Sequence, residues 1–337
     1  MGGFWKMFID KIAPGMILDS SKTPYISSKR YALNGPTMGT RYSAIFYSSR
    51  SLDIEDLSTQ LQAAVDEVDD QMSPWKQQSA LVRLNQTPVG TNLKVPEHFG
   101  KVLARAQYIG SASNGAFNMA VGEAINAWGF GPHSRRPHPE KIRVAKKPCF
   151  LTGAAVLFDP VAGVARRVSD VQIDLCGIAK GYGVDQLCHV LNAAGIKDYL
   201  VAVDGEMRSS GKKPNGRSWI IGVEEPDTRA RKIAHMFELN GLAVASSGNY
   251  RHQVVLEGFV SSHTMDPSTG SPVCNNLNAV TVIADDCMSA DAWATALLVM
   301  GEIDGPRFAE THGLSALFFI GDQLDQSVVK TGIFLNN

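Results

Sequence analysis

The stretch AVTVIA at residues 279–284, followed by SADAWATALLVM at residues 289–300, shows how this chain is built. The first part is short and apolar, which is typical of a strand, and the second is predicted to form a helix. A helix around residues 305–312 and closing strands at 315–320 and 327–331 are predicted to follow. Because strands and helices succeed each other without a strict βαβ rhythm, the pattern favours an α+β fold.

The rest of the chain continues this mixture of strands and helices. Leu57, Leu61 and Val65 recur at four-residue spacing, which predicts a helix over residues 54–72. Further elements are predicted as helices at residues 96–113, 118–128 and 178–194, and as strands at 31–48 (a pair that turns at Asn34-Gly35-Pro36), 154–158, 170–175, 198–204, 218–223, 236–246 and 252–258. The predicted α+β fold therefore has mixed or antiparallel sheets with packed helices.

Composition and charge narrow the function classes. The chain has 337 residues, 44% of them hydrophobic, enough for a sizeable core in one large domain or two closely packed ones. Its 32 basic and 33 acidic residues nearly balance, and no long basic tract occurs, so nucleic-acid binding is not expected. The five cysteines form no CxxC motif, so neither a disulfide framework nor a zinc site is predicted.

The beginning of the chain differs in character from the rest. Residues 1–22 contain no clean apolar stretch, since Asp10, Lys11 and Pro14 interrupt it, so neither a signal peptide nor a transmembrane segment is expected. We predict a mobile N-terminal arm over residues 1–30, or a start site placed too early. A folded domain is predicted over residues 31–337, and the expected location is the cytoplasm.

Near the C-terminal end of the chain, one carboxylate and one hydroxyl are separated by the spacing of one helical turn. If residues 289–300 are helical, Asp291 and Thr295 lie one turn apart on the same face. Such a pair suits a hard, oxygen-preferring cation such as Mg²⁺, which keeps some coordination positions for a substrate phosphate. The alternative is that both residues cap the helix start.

A glycine-rich segment between a predicted strand and a predicted helix is a second candidate. It reads DLCGIAKGYG at residues 174–183, and its glycines allow close backbone approach. A helix N-terminus there favours phosphate, and Lys180 adds a positive charge. The spacing is not that of a nucleotide-triphosphatase P-loop. The alternative is a tight turn with a solvent-facing lysine.

Three further features admit two interpretations each. His263 is either structural or a base that takes a proton from an attacking hydroxyl. The aromatic residues Trp75, Trp128 and Phe130 either belong to the core or flank a flat heterocycle such as flavin or adenine. The polar segment 204–206, which follows an apolar strand, is either part of a site or a plain hairpin turn.

Taken in order, these segments resemble the ApbE family, the FAD:protein FMN transferases. The matching segments are GPTMGT at 35–40, MSPW at 72–75, SALVRLN at 79–85, GAFN at 115–118 through WGFGP at 128–132, residues 174–185, DGEMR at 204–208 with GKK at 211–213, ASSGNYR at 245–251, residues 262–270 and residues 289–295. Each motif is modest, but their common order over residues 34–301 is highly specific.

The resemblance implies an α+β fold that binds FAD and Mg²⁺, with Mn²⁺ as the alternative cation. Family members transfer FMN from FAD to a Ser or Thr hydroxyl in a motif of an acceptor flavoprotein and release AMP. By resemblance the residues that contact FAD would be Met38, Trp75, Trp128, Gly129, Phe130, Asp174, Lys180 and Met265. By the same resemblance, Mg²⁺ would be held by the Gly177 carbonyl, Asp291 and Thr295, with His263 as the base.

The chain departs from the family pattern at three positions. The family usually has glycine at the positions of Asp204 and Cys176, and threonine at that of Ser246. Asp204 is the largest change, because it adds a carboxylate near a turn that faces the expected ligand. Many family members are periplasmic or attached to the inner membrane, which is the alternative to the cytoplasm. The alternative functions are hydrolysis of FAD to FMN and AMP, and FAD binding without catalysis.

Overall fold

The computed structural model describes residues 28–132, 136–145, 155–226, 232–249, 253–256, 259–321 and 325–336. The α-helices in these ranges are α1 (Ile54–Met72), α2 (Ala80–Gln86), α3 (Glu97–Ala112), α4 (Gly122–Ala127), α5 (Pro139–Ala145), α6 (Cys176–Ala193) and α7 (Cys287–Thr311). Short 3₁₀ helices are Met119–Val121 and Gly332–Asn336.

The strands in the same ranges are β1 (Lys29–Thr37), β2 (Thr40–Ser48), β3 (Leu93–Lys94), β4 (Val156–Asp159), β5 (Val164–Arg167), β6 (Asp198–Val203), β7 (Glu206–Ser210), β8 (Trp219–Glu224), β9 (Ile233–Leu239), β10 (Ala243–Gly248), β11 (Gln253–Leu256), β12 (Phe259–Ser262), β13 (Met265–Asp266), β14 (Ser271–Pro272), β15 (Leu277–Ala284), β16 (Ser315–Ile320) and β17 (Ser327–Lys330).

An eight-stranded antiparallel sheet organises the fold, with strand order β1-β2-β6-β7-β10-β15-β16-β17. The remaining strands form a three-stranded sheet and three hairpins. The predicted α+β class is thereby confirmed. No helix in the described ranges has the length and hydropathy needed to cross a membrane.

Both faces of the central sheet are covered, so its strands are apolar on both sides. In β6, Tyr199, Val201 and Val203 pack on the face that also receives α1 and α6. Leu200 and Ala202 point the other way, toward a cluster completed by the β8–β9 hairpin. The alternation of side chains along a strand produces these two cores.

Helices α6 and α7 approach each other closely at a glycine. A Cβ on Gly181 would lie 2.2 Å from the Cys287 carbonyl oxygen and 2.9 Å from the Asp291 Cβ. Asp185 of α6 also accepts the N–H groups of Cys287 and Met288 at 3.0 and 2.9 Å, satisfying backbone donors that the first turn of α7 leaves unpaired. The two helices are therefore fixed in register.

The structure corrects the predicted turn of the first hairpin. The turn lies at Met38 and Gly39, which have φ of +46° and +72°, and Thr37 pairs with Thr40. Positive φ at both central residues matches the twist of a two-residue hairpin loop. Asn34-Gly35-Pro36 instead belongs to β1, an edge strand, where a proline is tolerated.

The predicted strand at 170–175 is not formed. Ile173 exchanges both of its backbone hydrogen bonds with the side-chain amide of Asn85, at 2.7 and 2.9 Å. The Asp174 N–H donates to the Met119 carbonyl at 2.7 Å. Because these partners are a side chain and a 3₁₀ helix, the segment satisfies its backbone without a neighbouring strand.

Two other predictions differ from the structure in how elements are divided. The strand predicted at 236–246 is two strands, β9 and β10, with Gly241 at φ +73° between them. The helices predicted at 289–300 and 305–312 form the single element α7, broken by Gly301 at φ +80° and ψ −173°. Residues 1–27 of the predicted N-terminal arm, and parts of the strands predicted at 154–158 and 252–258, lie outside the described residues.

We predict that Gly181→Ala lowers the free energy of unfolding by about 1–3 kcal/mol, because its methyl group would force α6 and α7 apart. Gly183→Ala is the matched control, since its Cβ would meet side chains alone: the terminal methyl of Met38 at 2.9 Å and Val203 Cγ2 at 3.9 Å. Urea denaturation of both variants measures the difference. Equal effects of the two substitutions would contradict the importance of this helix contact.

Candidate active site

The first turn of α6 begins at a buried carboxylate. Asp174 is buried, and its Oδ1 accepts the Cys176 N–H at 2.8 Å, while the Cys176 thiol donates to Oδ2 at 3.5 Å. Burial raises the pKa of Asp174, and the two bonds from Cys176 oppose that shift. The positive end of the helix dipole is therefore already close to one negative group.

Asp291 and Thr295 lie on one face of α7, as their spacing predicts. This face packs against α6. Asp291 is only 4% exposed, and its Oδ2 accepts the Gly181 N–H at 3.0 Å. A Cβ on Gly177 would lie 3.0 Å from Thr295 Oγ1, so the backbone of Gly177 contacts that threonine. Neither residue caps α7, because the N-cap is Asp286.

Lys180 lies between two carboxylates of the β6–β7 hairpin. Its Nζ is 2.7 Å from Glu206 Oε1 and 3.9 Å from Asp204 Oδ2. Burial alone would lower the pKa of Lys180, but Glu206, Asp291 and Asp204 together raise it above its ordinary value. The ammonium group therefore stays charged at all physiological pH values.

The carboxylates around Lys180 exceed its charge. When Asp204, Glu206 and Asp291 are all ionised, three negative charges face one positive charge, which leaves a net charge of −2. Burial, and then the charge of Glu206, raise the pKa of Asp291 to about 7. Glu206 also has its pKa raised by burial, and its Oε2 is buried without a hydrogen-bond partner among the described residues.

The arrangement fits a hard divalent cation. Asp291 supplies a carboxylate and Thr295 a hydroxyl, and the backbone of Gly177, whose carbonyl would be the third donor, lies beside Thr295. Oxygen donors of these kinds are those that Mg²⁺ prefers. A cation there would offset the surplus negative charge and hold Asp291 ionised. Clusters of three or more His, Cys, Asp or Glu side chains suited to a metal do not occur in the described ranges. The candidate set needs only one such side chain.

Two of the three predicted aromatic contacts, Trp128 and Phe130, follow α4 and meet the segment that carries His263. Trp128 Nε1 donates to the Gly270 carbonyl at 3.2 Å. The Phe130 ring lies edge-on to the His263 ring, with centroids 6.4 Å apart. Gly129 has φ +82°, and a Cβ there would lie 2.7 Å from the Arg136 backbone. The structure therefore brings Trp128, Phe130 and His263 into one group.

The other predicted FAD contacts are more scattered. Met38 reaches α6 beside Gly183, and Met265 is buried in β13. Trp75 is 51% exposed. A cavity of about 620 Å³ is lined by Pro74, Asn126 and Asp174 among others, but not by Lys180 or Asp291. This cavity reaches Asp174 alone of the predicted FAD contacts, so the described residues do not form one closed pocket around all of them.

Comparison with known proteins identifies the family. The model of the ApbE family matches residues 38–318. This chain belongs to the ApbE family. A FAD:protein FMN transferase of Vibrio cholerae is 34% identical over 292 residues, covering 86% of this chain and 86% of the relative. One from Haemophilus influenzae is 34% identical over 303 residues, covering 87% of each chain.

Solved ApbE structures share the fold. The flavin transferase ApbE from Vibrio cholerae superposes with a TM-score of 0.81 at 31% identity, covering 92% of this chain and 99% of that one. The flavinyl transferase ApbE from Pseudomonas stutzeri in its apo form gives 0.81 at 33% identity, over 92% and 96%. The resemblance inferred from the ordered motifs is therefore confirmed.

Three residues of this ApbE chain had no role assigned from sequence. Glu206 binds Lys180, Ser247 Oγ lies 3.2 Å from Thr295 Oγ1, and Asp185 joins Arg208 at 2.7 Å while it supports the start of α7. All three lie within the ordered motifs. The sequence feature that could have marked Glu206 is its position, a charged residue directly after a buried strand and a turn. Its partner could not be predicted, because that depends on the register of the hairpin.

We predict that Asp291 makes stability depend on pH in a metal-free buffer. Its pKa is about 7 in the folded chain against an ordinary 3.8, so its stabilising effect is complete below about pH 4 and is lost as pH rises through 7. The melting temperature of the wild type should therefore fall relative to that of Asp291→Asn between about pH 4 and about pH 7, and change little above that. Parallel melting temperatures would show that Asp291 keeps an ordinary pKa.

Proposed function

We propose that this ApbE-family chain transfers FMN from FAD to a Ser or Thr hydroxyl of an acceptor flavoprotein, releases AMP, and requires Mg²⁺ or Mn²⁺. We also propose that residues 31–337 form the catalytic domain. The named relatives support the reaction class, since those from Vibrio cholerae and Haemophilus influenzae are FAD:protein FMN transferases. The observation that carries the proposal is the contact between the first turns of α6 and the Asp291–Thr295 face of α7.

The charge around Lys180 supports the requirement for a divalent cation. With Asp204, Glu206 and Asp291 all ionised, the net charge of −2 would repel the diphosphate of FAD, although Lys180 and the N-terminus of α6 attract it. A cation bound by Asp291, Thr295 and the Gly177 carbonyl would offset the negative charge, so that the net effect on the diphosphate becomes attraction. When bound, it supplies charge neutralisation at the phosphate oxygens during displacement.

The protein groups around the phosphate define the remaining steps of the proposal. Lys180 would hold the diphosphate, and Trp128, Phe130 and Met265 would contact the flavin. His263 takes the proton from the acceptor hydroxyl, whose oxygen forms a bond to the phosphorus nearest riboflavin. The bond from that phosphorus to the bridging oxygen breaks, and AMP leaves with this oxygen. The proximity of the Phe130 and His263 rings supports a base beside the flavin end of FAD.

The acceptor protein can be sought directly. Candidate flavoproteins are co-expressed with this chain and analysed by mass spectrometry for the added mass of one FMN on a Ser or Thr. Incubation with FAD and Mg²⁺ in the absence of acceptor is the second arm. Rapid formation of free FMN and AMP without any protein modification would contradict transfer and favour hydrolysis, and FAD binding without either product would contradict catalysis.

We predict that Asp291→Asn lowers metal-dependent transfer by at least about 100-fold, because the only carboxylate of the proposed cation site is lost. Asp285→Asn is the matched control, since Asp285 is exposed and lies just before α7. Transfer rates are measured across a Mg²⁺ titration. Wild-type activity in Asp291→Asn would remove this residue from the cation site.

We predict that His263→Ala lowers the transfer rate by about two to four orders of magnitude while the Kd for FAD changes little, because a general base acts only in the chemical step. The rate is measured with saturating FAD, and the Kd by quenching of flavin fluorescence. A loss of affinity as large as the loss of rate would assign His263 to FAD binding.

A further inference from the structure

Asp204 occupies an unusual backbone position. It is the first residue of the two-residue turn between β6 and β7, where Val203 pairs with Glu206, and its φ is +52°. Residues with a Cβ rarely adopt this left-handed conformation, although Asp and Asn tolerate it better than most. A glycine would form the same turn without a carboxylate, so the turn itself does not require an acidic residue at position 204.

Two carboxylates of this hairpin contact Lys180 in different ways. Glu206 lies 2.7 Å from the ammonium group and its side chain is 2% exposed. Asp204 lies at 3.9 Å and its side chain is 30% exposed. Glu206 therefore anchors Lys180 from the protein interior, whereas Asp204 approaches it from the solvent-accessible side. An anionic ligand would reach Lys180 from that same side, since Lys180 and Asp204 are both partly exposed whereas Glu206 is buried.

We propose that Asp204 is a positioning residue that makes FAD binding depend on the divalent cation. Its carboxylate competes with the FAD diphosphate for Lys180 and adds one of the three negative charges around it. Without a cation this competition weakens FAD binding. With a cation beside Asp291 the diphosphate is drawn in and the influence of Asp204 becomes small. This inference rests on the proposed function, because it takes FAD as the ligand.

The expected size of the effect is modest. The contact between Lys180 and Asp204 is partly exposed, and a pair of that kind contributes only a small free energy. Asp204→Asn removes the charge and keeps a residue that tolerates the positive φ. We expect it to lower the Kd for FAD by about two- to fivefold in EDTA, and by less than about 1.5-fold in saturating Mg²⁺.

The experiment measures the Kd for FAD by flavin fluorescence quenching, at low ionic strength, in EDTA and in saturating Mg²⁺. Asp204→Gly removes both the charge and the backbone strain, so it should match or exceed Asp204→Asn. Asp204→Glu retains the charge and should stay near the wild type in both conditions. Asp285→Asn removes an exposed carboxylate that does not contact Lys180, and it should also stay near the wild type.

The outcomes separate this inference from the proposed function. Tighter FAD binding in EDTA by the two uncharged variants, absent in saturating Mg²⁺ and absent from Asp204→Glu, supports the inference. Unchanged Kd values overturn it while the proposed function stands. A higher Kd or a higher Mg²⁺ requirement in Asp204→Asn also overturns it, because Asp204 would then help to bind the cation. A wild type that binds no FAD in either condition overturns both.

Discussion

The close approach of α6 to α7 is the constraint on which the candidate site depends. Gly181 permits it, because any side chain there would meet the backbone of Cys287 at 2.2 Å. The same approach places the Asp291 carboxylate on the Gly181 N–H and Thr295 beside Gly177. Asp185 fixes the start of α7 against α6 through two backbone N–H groups. A hydroxyl, a carboxylate and a helix N-terminus thus converge through helix packing, whereas flexible loops supply none of these three groups.

The electrostatics of the site follow from what this packing buries. Asp291 and Glu206 are both nearly inaccessible to solvent, and burial of a carboxylate is unfavourable unless a positive charge compensates. Lys180 compensates only in part, since it faces Asp204 as well. Here buried carboxylates outnumber the positive charge beside them, and a lysine and a helix N-terminus lie next to them. Such a site is suited to bind a cation and a phosphate together. A divalent cation alone would offset the surplus negative charge, whereas a phosphate alone would add to it, so phosphate binding would depend on the cation.

Single helices and closely spaced residue pairs of this site could be predicted from the sequence better than the contacts between distant elements. Four-residue spacing was enough for α1, and the Asp291–Thr295 pair was placed correctly on α7. The strand predicted at 170–175 was wrong because its hydrogen bonds go to Asn85, 88 residues away, which no local pattern reveals. The contact of Glu206 with Lys180 depends on the β6–β7 register and on how α6 crosses the sheet. Such long-range geometry is not encoded in residue spacing.

The most direct test of the account is a crystal structure with FAD and Mn²⁺, using the anomalous signal of manganese to locate the cation. The account predicts an anomalous peak at coordination distance from the Asp291 carboxylate and the Thr295 hydroxyl, with the FAD diphosphate between this peak and Lys180. A peak elsewhere, or a diphosphate that contacts neither Lys180 nor the first turn of α6, would contradict it.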